Sequence, residues 1–433
     1  MLKINKVGLI CLLLFSQICT FAQNNTNSPY TRYGLGLLAD RSFGAGRAMG
    51  GIGYGLRSSK QINPMNPASY SSLDSLTFMF DFGASGQVFW YNDGINKQKS
   101  MNGNIEYLAM QFPIMKGLAM SVGLLPYSFV GYDFGADRTT DEGVSYTEQF
   151  VGSGGLSDLY GGISYDIWRN RLAIGANIGF LFGDITHEQN IIFPSTSGSY
   201  SVYRSQEINI RDVKMEFGVQ YTQPFSKTEK FTVGFVYSPS NRMNAKMYNV
   251  TQQYLQGSSS SSDVQADTIT GLAVDLPNSF GAGISYTKEN KMMAGIDVLY
   301  ENWENALFLD EEGQYKNRLR IGAGLEFIPN HMKKLYFNRI RYRVGIHYSD
   351  SYINVRMQDG DAVRDCGYKE YGVSVGFGFP IRDFFWGKES LVNVSFEYVK
   401  IKPEIRTMID EQYFRFTLNY SFSERWFDKR KLN

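Results

Sequence analysis

The sequence predicts an all-β fold, a transmembrane antiparallel β-barrel of about fourteen strands. Apolar and polar side chains alternate in short stretches between Ser75 and Phe422. Beyond the leader, no apolar run reaches the ~20 residues that a membrane helix needs. The connections between alternating stretches are short and long by turns, as the two rims of a bacterial barrel require. The alternation is cleanest near the end, where Phe414, Phe416, Leu418, Tyr420 and Phe422 fall on one face and Arg415, Thr417, Asn419 and Ser421 on the other. Successive side chains of a strand point to opposite faces, so one face suits lipid and the other water.

The chain starts with what reads as a secretory signal peptide over 1–22. Lys3 and Lys6 precede an apolar run from Val7 to Phe15, and Thr20 and Ala22 put small residues before a cut at Gln23. Gln17 and Ile18 lack the small residue that a lipobox needs before Cys19. Cleavage leaves Cys366 alone, so no internal disulfide staples the mature chain. Formal net charge is +1, which argues against nucleic acid as a partner, because that needs a basic excess. The 31 Phe, 29 Tyr and 44 Gly suit interfacial aromatic girdles and a crowded lumen wall.

Period-two reading places strands at 75–91, 103–115, 117–134, 156–168, 171–187, 204–223 and 230–248, then at 272–287, 291–303, 315–328, 337–352, 367–381, 390–402 and 411–423. Segments 135–155, 188–203 and 249–271 read as long polar external loops. An even strand number puts both termini in the periplasm, with residues 424–433 as a basic tail there. Within strands the polar phase assigns Asp81, Asp297, Arg318, Arg320, Arg339, Arg341 and Arg343 to the lumen. An arginine facing lipid would cost about 2–4 kcal/mol near the bilayer midplane.

Residues 23–74 do not alternate. They contain Gly44-Ala45-Gly46-Arg47-Ala48-Met49-Gly50-Gly51 and then Ile62-Asn63-Pro64-Met65-Asn66-Pro67-Ala68. Glycines permit close backbone approach and positive φ, and each proline drives the preceding Asn from helical geometry. Such a segment can plug a lumen.

These motifs resemble the N-terminal hatch of the FadL type of outer-membrane hydrophobic-compound transporters, the OmpP/FadL/TodX-like barrels. Leu276-Pro277-Asn278-Ser279-Phe280, with Gly281, Gly283, Tyr286, Asp297, Tyr300 and Trp303, resembles that family's late-barrel signature. The resemblance implies a fourteen-stranded barrel with a hatch carrying Gly46, Arg47, Gly50, Gly51, Asn63, Pro64, Asn66, Pro67 and Ala68. It also implies energy-independent uptake of fatty-acid-like molecules and a lateral exit beside a kinked third strand. Pro126 lies inside the third expected strand, where a missing ladder donor predicts a local break. The chain departs from the family at Arg57-Ser58-Ser59-Lys60-Gln61 and at Asn27-Ser28-Pro29-Tyr30-Thr31-Arg32-Tyr33-Gly34.

Enzyme chemistry has no support. Gly372-Val373-Ser374-Val375-Gly376 matches a nucleophile elbow but lies within a strand pattern, and His187, His331 and His347 have no ligand spacing. No cofactor or metal site is expected. Two functions fit, both in the outer membrane of a Gram-negative-type cell with membrane lipid around the wall. One is passive uptake of a small hydrophobic ligand; the other is a non-transporting scaffold or accessory subunit that binds other envelope proteins. Uptake requires an apolar pocket between hatch and wall opening near Pro126, whereas a scaffold requires a filled lumen.

Overall fold

Inside and outside are inverted relative to a water-soluble protein. On the last strand Phe414, Phe416, Leu418 and Tyr420 are about two-fifths exposed, whereas Arg415, Thr417, Asn419 and Ser421 between them are buried. The same inversion puts Val344 and Ile346 outside and Arg343, His347 and Ser349 inside. An apolar outer face over a polar interior is what a lipid-embedded wall requires.

The computed structural model describes residues 26–94, 96–168, 171–255, 261–359, 362–382, 389–405 and 407–425. The expected signal peptide at 1–22 and nearly all of the expected tail lie outside the described residues. Fourteen antiparallel strands form the barrel. In chain order they are β1 (Thr77–Asn92), β2 (Lys97–Met115), β3 (Leu118–Thr139), β4 (Ser145–Trp168), β5 (Leu172–Ile192) and β6 (Tyr200–Pro224). Then come β7 (Glu229–Ser238 with Asn241–Leu255), β8 (Ser261–Leu276 with Asn278–Lys288), β9 (Met292–Asn302), β10 (Arg318–Phe327) and β11 (Arg341–Asp350). β12 (Tyr368–Arg382), β13 (Glu389–Pro403) and β14 (Asp410–Arg425) complete the wall. Closure comes from β14 pairing with β1, from Asp410 opposite Asn92 to Arg425 opposite Thr77.

Among the described residues the expected long loops are mostly strand instead. β3, β4, β5 and β6 have 22, 24, 21 and 25 residues, whereas β9, β10 and β11 have 11, 10 and 10. Crossing a bilayer takes about 9–11 residues, so one side of the barrel overshoots the membrane as a tall wall of paired strands. Its upper part is wet on both faces, so no hydrophobic alternation marks it in the sequence. Prolines interrupt β7 and β8 at Pro239 and Pro277. Side chains take over the lost pairing there: Asn278 Oδ1 accepts from Ser240 N at 2.9 Å, and Asn241 Nδ2 donates to Val213 O at 2.7 Å.

The wall itself breaks between β2 and β3. Their pairing runs upward only to Leu108 opposite Leu124. Above it β3 bulges at Pro126, keeps its ladder with β4, and takes Leu37 and Leu38 of the N-terminal segment as partners of Phe129 and Ser128. Ala39 N donates to Tyr127 O at 2.9 Å, and the Thr31 hydroxyl both donates to Gly131 O and accepts from Gly131 N at 3.1 Å. The kink continues into β4 and β5 at Gly154 and Gly155, with φ +108° and +139°, and at Gly183, with φ +155°. Residues bearing a Cβ adopt those conformations only with strain.

Residues 26–76 fill the lumen. At the tall rim an apolar cluster closes it, with Tyr30 and Leu35 of that segment packed among Trp303, Tyr315, Tyr352 and Ile353. The Trp303 ring lies 4.8 Å from that of Tyr352 and 5.1 Å from that of Tyr315. A small hairpin, Val355–Asp359 with Ala362–Cys366, adds Val355 and Cys366 to this cluster. Lower down, the segment's backbone lies directly on wall glycines. A Cβ at Gly345 would collide with the backbone of Met49 and Gly50. Gly345→Leu is therefore expected to lift the segment from the wall and destabilise the closed protein by about 1–3 kcal/mol. The checks are a lower denaturation midpoint in detergent and faster protease cleavage within 44–56.

Candidate functional site

The candidate site is the contact between the N-terminal segment and the inner wall. Most of the segment has no ladder of its own, so its buried N–H and C=O groups need side-chain partners. The inner faces of the strands provide them. Asp297 on β9 accepts from the backbone N–H of Gly53 and, at 2.7 Å, of Tyr54. Ser374 on β12 accepts from Gly50 N at 3.1 Å, and Ser285 on β8 donates to Gly55 O at 2.7 Å. Gln220 on β6 donates to Tyr54 O and Leu56 O, both at 3.0 Å, and Gln111 on β2 donates to Tyr70 O at 2.8 Å.

The segment also organises itself. Asn63 Nδ2 bonds Gly53 O at 2.6 Å and Leu56 O at 3.0 Å, and Asn66 Nδ2 bonds Tyr54 O at 2.9 Å. Asn66 Oδ1 caps the short 3-10 turn Pro67–Ser72 through Ala68 N, with Pro67 in the first helical position, where its missing donor costs nothing. Pro64 O accepts from Asn177 of the wall, and Ala68 O from Arg57 and Ser164. Gly50 and Gly51 turn at φ +73° and +75°, against Ala323, Ile346 and Arg320. Gly46 N donates to Phe43 O at 2.8 Å in the one-turn helix Gly44–Arg47.

Ion pairs hold the segment laterally. Arg47, 2% exposed, pairs with Glu106 on β2 at 2.7 Å and donates to Asp40 O at 2.8 Å. Arg320 on β10 reaches Asp40 at 3.1 Å and Gly51 O at 3.3 Å. Burial alone would raise the Asp40 carboxyl pKa, but the guanidiniums of Arg320 and Arg47 outweigh it and hold it below the usual carboxylate range. Arg41 binds Glu216 on β6, beside a wall pair of Lys214 with Asp158 at 2.7 Å.

The expected luminal charges divide by partner. Asp297 and Arg320 touch the segment. Arg318 pairs with Glu301 at 3.0 Å within the wall, and Asp81 accepts from Asn419 and Ser421. Arg341 and Arg343 do not grip the segment, because Glu326 on the neighbouring strand takes both, at 3.1 and 2.7 Å. Arg339 is not on a strand face at all. β11 begins at Arg341, and Arg339 ends a short 3-10 turn with its guanidinium 5.3 Å above the Tyr336 ring. Sequence phase missed Glu106. A bulge opposite Gly83 and Ala84 turns both Glu106 and Tyr107 inward, and no residue pattern announces it.

Among the cavities that adjoin this contact are two that share lining residues. One, of about 100 Å³, lies between segment and wall and is lined by Asp40, Arg41, Glu301, Arg318 and Arg320 together with Leu37, Leu38, Met65, Tyr127 and Phe129, so its surface is mixed charged and apolar. The other, of about 430 Å³, occupies the wall break, where Ile105, Leu108, Leu124, Leu125 and Leu156 surround Pro126. Glu106 and Phe129 border both.

A family model described as BamG matches residues 1–433. The chain belongs to the BamG family. A search of curated protein sequences finds no match to this BamG-family chain. Among solved structures it is similar to a Pseudomonas aeruginosa FadL homologue, at 13% identity over 89% of this chain and 99% of that one, with a TM-score of 0.59. The P. putida toluene transporter TodX is 14% identical over 90% of this chain and 99% of its own, with a TM-score of 0.57. The Ralstonia pickettii toluene transporter TbuX is 13% identical over 89% and 99%, with a TM-score of 0.56. At such identities the likeness is one of fold, and the FadL-type barrel expected from the motifs is the fold observed.

The Arg47–Glu106 pair gives a direct test of how the BamG-family lumen is held. Arg47→Met leaves Glu106 buried without its cation and is expected to cost about 3–5 kcal/mol. Adding Glu106→Gln should restore a large part of that loss, as read from denaturation midpoints of the two single variants and the double variant. A double-variant loss equal to the sum of the two single-variant losses would show that the pair does not couple segment to wall.

Proposed function

We propose that this protein is a non-transporting, non-enzymatic barrel of the outer membrane that serves as an accessory subunit of the BAM assembly complex. One observation carries the reading: ion pairs and hydrogen bonds tie the N-terminal segment to the wall, and the two cavities lined by Arg41, Tyr54 and Glu301 between them measure only about 100 and 80 Å³, too small for a fatty-acid-like ligand. The aromatic cluster closing the tall rim supports it, since an apolar solute arriving there would meet packed rings. The family's name supports it as well.

In this reading residues 1–22 are removed on export, 23–74 act as a permanent plug, and both termini lie in the periplasm. Outer-membrane lipid surrounds the wall, and envelope proteins dock on the tall strands β3 to β8. The break beside Pro126 favours the other reading, uptake of a fatty-acid-like compound with lateral exit. A solute on that route would have to pass Glu106, which Arg47 holds in place.

Native mass spectrometry of tagged protein from gently extracted membranes separates the two. The expected result is stable co-purification with BAM subunits and no lipid-like ligand. Depletion should lower the amount of assembled outer-membrane barrels and leave uptake of apolar compounds unchanged. A bound hydrocarbon ligand with no protein partner, together with lost uptake on depletion, would overturn the proposal.

A further inference from the structure

The lining of the mouth at the short-turn rim carries an excess of positive charge. Residues 57–61 of the N-terminal segment hang between the β6–β7 and β8–β9 turns and enclose a cavity of about 230 Å³. Eight cationic side chains line it against three carboxylates. Pairing within the wall uses two of those carboxylates: Lys288 holds Glu229 at 2.5 Å, and Arg341 and Arg343 share Glu326. Arg57, Lys60, Lys227, Lys230 and Lys291 are left with Glu289 as the remaining carboxylate of the lining.

Lys60 and Lys230 are the informative pair, because both are partly buried in this mouth with neutral partners. Lys60 Nζ donates to Asn290 Oδ1 and Lys230 Nζ to the Arg57 carbonyl, both at 3.3 Å, and neither ammonium forms an ion pair among the described residues. Arg57 spends its own donors on Ala68 O and the Ser71 hydroxyl, with Asp166 at 4.0 Å. Burial, with Arg341 nearby, pushes the Lys60 ammonium pKa down, outweighing the opposite pull of Glu389, Glu289 and Glu326. An anion would relieve that charge.

The donor types select the kind of anion. Arginine forks match planar carboxylates, and those on the wall, Arg341 and Arg343, are already bound to one. What remains free is lysine point charges beside the hydroxyls of Ser59, Thr228 and Thr287 on the lining, a set suited to a tetrahedral oxyanion. We propose that this mouth is a phosphate-binding site, held chiefly by Lys60 and Lys230. It would take inorganic phosphate or the phosphate of a phospholipid headgroup at the adjoining membrane surface. The site does not depend on the assembly role and stands or falls separately.

Two probes applied to the full-length protein test the site and its source. Inorganic phosphate is titrated calorimetrically into detergent-solubilised protein, with chloride as reference. Phosphatidylglycerol retained after exposure to phosphatidylglycerol–phosphatidylcholine nanodiscs is read by native mass spectrometry. Binding of phosphate alone identifies a free anion as ligand, and retention of the lipid identifies a headgroup; either supports the site. Lys60→Gln with Lys230→Gln should weaken binding by about tenfold or more, whereas Lys116→Gln, exposed at the β2–β3 turn outside the lining, should change it by less than about twofold. Lys60→Gln alone, outside the barrel strands, reports part of the same loss if the double variant does not close. No binding beyond chloride by either probe, or undiminished binding in the lysine variants, overturns the proposal.

Discussion

An irregular chain buried inside a barrel must find a partner for every backbone N–H and C=O it brings with it. The rest of this structure depends on that requirement. The segment 26–76 is mostly turns and short 3-10 pieces, so it cannot satisfy itself as a helix or a sheet would. The inner wall meets the need with side chains placed one or two to a strand: Gln111, Gln220, Ser285, Asp297 and Ser374 each bond segment backbone. A wall facing lipid outside can carry these groups inside because strands alternate, and the same alternation leaves glycines such as Gly345 where the two backbones touch.

The break beside Pro126 is the second consequence of that coupling. Once β3 leaves β2 above Leu124, its freed edge would expose unpaired backbone, which the hydrocarbon region does not tolerate. Leu37, Leu38, Ala39 and Thr31 supply the missing partners from inside. The segment therefore substitutes for a stretch of wall as well as filling the lumen. The glycines at 154, 155 and 183 carry the bend across the next two strands, so the kink belongs to a patch of sheet rather than to one proline.

Fold alone does not fix function here. Solved transporters share the architecture at 13–14% identity, yet the residues between segment and wall in this chain are charged and mutually paired. A path for an apolar molecule needs apolar surface or empty space along its length. The tall rim has the apolar surface but no space, because Trp303, Tyr315 and Tyr352 pack together there.

Local pattern carried the barrel, the strand number and the polar phase, because a lipid wall imposes period two on every strand that crosses it. It also marked Asn63, Asn66 and the paired glycines as residues of special conformation, since their chemistry acts within a few positions of themselves. It missed the rim ends of β3 to β8, where residues on both faces are mostly exposed or half-buried and no alternation exists. It misplaced Arg339, because strand ends carry no phase, and it overlooked Glu106, because a bulge reverses phase without altering composition. Which luminal charge meets which partner was decided only by the tertiary structure. Arg343 binds Glu326 rather than the segment, and Asp297 holds Gly53 and Tyr54, because barrel closure sets distances between residues far apart in the chain.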